Sequence, residues 1–230
     1  MEQTDTFMTT QPQHLPKPFP SSLGYDQLYI DDDIDDNHYE PDQWKEIRLR
    51  PGLTAEQVYQ KLPSAETFEY GGYLTKSRIR FVKCGSTSAD VPRHRSSCTF
   101  HSHPTNLSGT FPDLPSSSDL YGFLFKEPLR SITVGKNLVW VFNKTPKTLP
   151  MIKKLKRWQT KNLLAVTREL RENPKYEGRV LDEFQNIALT ALGLDWPSRR
   201  RDLNDSLLKQ WPKLIAKTLK FDVTVYSRNQ

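Results

Sequence analysis

The amino-acid sequence predicts an α/β fold: a mixed β-sheet flanked by helices, with an α-helical C-terminal extension. Three observations predict it. Short segments with period-2 apolar alternation recur between about residues 67 and 143, the pattern of half-buried strands. Capped helical patterns interrupt them. From Pro150 onward the apolar spacing becomes that of amphipathic helices set among Lys and Arg.

The elements follow in order. Residues 1–43 read as a disordered acidic segment: Pro16, Pro18 and Pro20 oppose regular structure, and Asp31-Asp32-Asp33-Ile34-Asp35-Asp36 is a self-repelling block. That block fails the EF-hand pattern, because Asp36 and Asp42 occupy the places that need Gly and Glu. Order begins near Trp44. Thr54 and Gln57 form a capping box that opens a short helix to about Leu62. Residues 67–74, 78–84 and 97–101 read as strands, then a Pro-rich loop runs from Pro104 to Pro115. A helix starts at about Ser116, and 131–135 and 138–143 make an antiparallel pair turning at Gly135-Lys136-Asn137. Residues 44–148 thus form the core. Residues 149–230 form a basic helical extension, with helices stopping at Gly193 and broken or kinked at Pro212. Its last strand, 221–226, is a candidate to rejoin the sheet.

Charge divides the chain. Residues 1–46 carry eleven acidic and two basic side chains, and residues 145–230 carry eighteen basic and nine acidic, within an overall +6. Such ends either attract each other or meet different partners. No apolar run is long enough for a transmembrane helix, and the first residues lack the features of a secretory signal. Two cysteines are too few for a disulfide framework and point to a reducing compartment, cytoplasmic or nuclear.

The chemistry-bearing stretch is His101-Ser102-His103-Pro104, separated by eleven residues from Ser116-Ser117-Ser118-Asp119. On a strand, imidazoles two residues apart point to one face and can converge on one ion. Pro104 ends the strand, and Asp119 can supply a third ligand from the start of the next helix. Two His and one carboxylate leave a tetrahedral position open, as in catalytic zinc, where the pKa of water falls to roughly 7. Glu69, ahead of Gly71-Gly72, is the candidate general base, with Glu66 as its rival. Ser116 is the candidate oxyanion donor, and Ser-x-x-Asp is equally a helix cap.

Taken together, Glu69-Tyr70-Gly71-Gly72-Tyr73-Leu74, His101-Ser102-His103-Pro104 and Ser116-Ser117-Ser118-Asp119 resemble the motif of the JAMM (MPN+) metalloprotease family. The resemblance covers about residues 50–145. It implies a mixed sheet flanked by helices, zinc on His101, His103 and Asp119, Glu69 as general base, and Ser116 stabilising the tetrahedral intermediate. It also implies a protein substrate, commonly an isopeptide bond to a ubiquitin-like protein. The gap before Ser116 is longer than in the eukaryotic deubiquitinases. It looks more like divergent members from prokaryotes, phages and large DNA viruses, and a viral member would act inside the host cell.

Plainer readings stand beside these. Cys98 is a neighbour of the site or a core thiol. Tyr70 and Tyr73 line a groove or pack the core. His94, between Arg93 and Arg95, suits a solvated loop better than a metal. Zinc deaminase and zincin motifs are absent. The rival to an enzyme is an inactive MPN-like scaffold whose basic tail, with Lys153-Lys154 and Arg199-Arg200-Arg201, engages nucleic acid or an acidic protein. Trp158, Trp196 and Trp211 would then be stacking residues instead of core.

Overall fold

A computed structural model describes residues 43–85, 98–106, 113–125, 129–172, 177–194 and 205–228. The acidic head, the His94 loop, the middle of the Pro-rich loop, Trp196 and the Arg199-Arg200-Arg201 cluster lie outside the described residues.

The chain runs β1 (Lys45–Arg48), α1 (Ala55–Tyr59), β2 (Tyr70–Leu74), β3 (Arg78–Lys83), β4 (Cys98–Ser102), α2 (Ser117–Phe125), β5 (Arg130–Val134), β6 (Leu138–Asn143), α3 (Thr148–Glu172), α4 (Glu177–Ala191), α5 (Asp205–Leu219) and β7 (Asp222–Ser227). The strands form one seven-stranded sheet in the order β1-β3-β2-β4-β5-β6-β7. Among the described strands, only β4 and β5 pair in parallel. A parallel pair needs a crossover connection, and α2 lies within it. The mixed α/β sheet with flanking helices is therefore as the sequence predicts.

Each face of the sheet has its own core. Phe81, Phe100, Ile132, Val139 and Val141 pack with Ala55, Val58, Tyr59 and Leu62 from α1 and the turn after it. Trp140 and Phe142 pack with Leu120, Phe123 and Leu124 of α2, Leu155 of α3, Leu189 of α4, and Trp211, Ile215 and Leu219 of α5. Through its described residues, the span 149–230 thus covers the second face. It also supplies the edge strand β7, whose register on β6 pairs Asn143 with Asp222 and Trp140 with Val225.

Local signals explain several boundaries. Thr54 and Gln57 exchange capping bonds of 2.9 and 3.2 Å. Gly193, at φ 94°, ends α4 in a left-handed turn, with Leu194 N–H returning to Leu189 carbonyl at 3.0 Å. Pro212 sits inside α5 without ending it. The sequence reading missed β1. Its residues Lys45, Glu46 and Arg48 are exposed around a single half-buried Ile47, so no apolar alternation marks it. Charges of this kind are usual on an edge strand, where they discourage pairing with another chain. None of the helices among the described residues is long and apolar enough to cross a membrane.

Candidate metal centre

β4 sits at the middle of the sheet, with β2 on one side and β5 on the other. Alternation sends Phe100 to the α1 face, and His101 to the α2 face. His103 lies one residue past β4, and its N–H reaches Val134 carbonyl at 2.8 Å, extending the parallel ladder. The two imidazoles therefore share a face, with ring centroids 5.2 Å apart.

Asp119 comes from the first turn of α2, where the helix dipole favours a carboxylate. Ser116 holds it there. Asp119 N–H donates to Ser116 Oγ at 3.1 Å, and Ser116 N–H donates to Asp119 Oδ2 at 2.6 Å. This is a capping box with Asp in place of Glu. The cap aims the carboxylate at the sheet. Oδ1 lies 2.9 Å from His101 Nε2 and Oδ2 lies 3.1 Å from His103 Nε2. Burial opposes ionisation of Asp119, but its electrostatic interaction with the adjoining His101 ring and polar contacts with both rings outweigh it. Its carboxyl is held well below the usual range.

The ligand atoms of His101, His103 and Asp119 lie within 4.8 Å of one another, the one such group of His, Cys, Asp and Glu among the described residues. His101 Nε2 is buried at ion-pair distance from the carboxylate yet has no hydrogen-bond partner there. A buried nitrogen in that condition is costly unless an electrophile takes its lone pair. This group can hold a metal ion.

Glu69 is buried, immediately before β2. Its backbone is tied to the end of β3 through Gly85 carbonyl at 3.0 Å and Cys84 N–H at 2.8 Å. Gly71 pairs with His101 at the end of the ladder, and continuing that register two residues further carries Glu69 toward His103, on the side of both imidazoles. The rival Glu66 is exposed. Its carbonyl accepts from Asn106 N–H at 3.0 Å, in the loop just past His103.

Other candidates fall to the plainer side. Cys98 packs with the α1-face core, away from the imidazoles, and burial, against the pull of Arg130, pushes its thiol up to about 12. Tyr73 is buried, and its hydroxyl accepts from Arg80 at 3.0 Å. Tyr70 packs edge-on against Phe81. Trp158 and Trp211 belong to the helical core.

Sequence reasoning missed Asp113. Its carboxylate accepts from Asn137 N–H, from Asn137 Nδ2 at 2.7 Å and from Leu138 N–H at 3.1 Å. Its carbonyl accepts from Trp140 Nε1 at 2.6 Å. Asp113 so pins the end of the Pro-rich loop, three residues before Ser116, to the β5–β6 turn. Asp113→Ala is expected to cost about 1–3 kcal/mol through the lost hydrogen bonds, measured as a drop in thermal midpoint, with metal content retained.

A polar cleft of about 570 Å³ is lined by Gln60, Ser64, Glu66, Thr105, Asn106, Lys136 and Arg228. Arg228 braces it, donating to Leu62 carbonyl at 2.7 Å and Gly135 carbonyl at 3.4 Å. Compared with protein-family models, curated proteins and solved structures, the chain matches none.

Proposed function

We propose that the protein is a zinc-dependent hydrolase of the JAMM type, cleaving a peptide or isopeptide bond, with conjugates of ubiquitin-like proteins as the substrate class. The observation that carries this reading is the convergence of His101, His103 and Asp119 at the end of β4, with His101 Nε2 buried and lacking a hydrogen-bond partner. Two imidazoles and one carboxylate form a ligand set that suits zinc and leaves a position for reactants. Bound there, zinc would supply Lewis acidity, acidifying water and polarising the scissile carbonyl.

The chain's own residues do the rest. Glu69 takes the proton of the attacking water and delivers it to the departing amine. Ser116 Oγ accepts from Asp119 N–H, which leaves its O–H to donate to the carbonyl oxygen as negative charge develops. The reciprocal cap keeps that hydroxyl and the Asp119 carboxylate in fixed relation.

Purified protein is expected to carry about one zinc per chain, as three convergent protein ligands bind one ion. Mass spectrometry of metals checks this, alongside cleavage assays on a panel of ubiquitin-like conjugates. A chain that stays metal-free after reconstitution with zinc would sink the reading.

A further inference from the structure

Two helices present basic faces that no described residue neutralises. On α5, Lys209, Lys213 and Lys217 are exposed at successive four-residue steps, with exposed Lys220 just beyond. Each step rises about 6 Å along the axis. On α3, Lys153, Arg157 and Lys161 repeat the same spacing, flanked by Lys154 and Lys156, and all are exposed. No acidic residue occurs from Thr148 to Arg168 or from Ser206 to Phe221.

The two faces belong to one body. Thr145 and Thr148 hydroxyls, at the start of α3, both donate to Lys220 carbonyl at 2.8 Å, at the end of α5. Both helices also bury apolar residues in the same core. Among the described residues, none of these lysines or Arg157 enters an ion pair. Like charges at four-residue spacing destabilise a helix by about 0.2–0.5 kcal/mol per pair. A surface helix ordinarily intersperses acids to relieve this. Here the repulsion is left standing over both helices, and a polyanion would relieve it.

We infer that these two basic helix faces bind the phosphate backbone of nucleic acid, independently of the hydrolase site. The evenly spaced, strongly hydrated ammonium groups suit phosphates as point charges, without base readout. The expected mode is therefore non-specific and steeply dependent on salt.

The test uses the full chain and a fluorescent DNA duplex of about 20 base pairs, read by anisotropy at several salt concentrations. Binding is expected with Kd of about 10⁻⁶–10⁻⁴ M at physiological salt, tightening at low salt. The variant K209E/K213E/K217E is expected to lose at least about tenfold in affinity and to reduce the salt slope by about three. K153E/R157E/K161E should act in the same direction. Circular dichroism would establish that both variants keep their helices, as exposed substitutions should. Absence of binding at low salt, or binding unchanged in both variants, overturns the inference. So does binding that emerges only when Asp31, Asp32, Asp33, Asp35 and Asp36 are replaced by Asn, since the faces would then belong to the chain's own acidic head.

Discussion

Glu69→Gln is expected to lower kcat by about 10²–10⁴-fold while the protein keeps its metal. Glutamine retains the shape of the side chain but cannot take a proton. Glu69 is outside the His101–His103–Asp119 group, so the ligand set is untouched. His103→Ala should behave differently. It removes one of three ligands, so metal and turnover should vanish together. Glu66→Gln, on an exposed side chain, should leave both in place. Metal analysis and single-turnover cleavage on the three variants separate base from ligand. Full activity of Glu69→Gln would remove Glu69 from the mechanism without touching the metal assignment.

Gly72→Ala should destabilise the whole domain. A Cβ there would stand 2.1 Å from Arg80 carbonyl oxygen, 2.8 Å from Phe81 Cα and 2.9 Å from Phe100 Cε1. Two of these atoms are backbone, so no side-chain rotation relieves the contact. The ladders from β2 to β3 and to β4 both pass through Gly72, which pairs with Phe81 and with Phe100. They would have to separate. The expected cost is about 3 kcal/mol or more, a fall in Tm on the order of 10 °C. The neighbouring pair Gly71–His101 lies in the same ladder, so metal affinity should weaken as well. A variant with unchanged Tm would show that β2 and β3 do not approach as described.

Gly72 also shows how much was legible beforehand. From sequence, Gly72 counts as part of the Glu69-Tyr70-Gly71-Gly72 strand motif. The structure assigns Gly72 to backbone and to the Phe100 ring, on the α1 face of the sheet. The His-x-His spacing and the Ser116 cap were readable because both are local: strand alternation and a capping box depend on neighbours in sequence. The approach of Glu69 toward His103 was not, since it depends on which strands pair and in what register. Asp113 escaped for the same reason. Its partners Asn137, Leu138 and Trp140 lie across a helix and a strand. β1 escaped because its charged residues carry no alternation, and its place is set by pairing with β3.

The edge strand β7 has a consequence for how this protein is made. β6 pairs first with the adjacent β5, and finds its second partner, β7, only after α3, α4 and α5 have intervened. Loop-closure entropy must be met before that pairing returns anything, which places the fold among slow, late-closing topologies. A fragment cut after Lys147 would keep every residue of the proposed site. It would nevertheless bare the edge of β6 and the apolar side of α2, the two surfaces through which partly folded chains stick together.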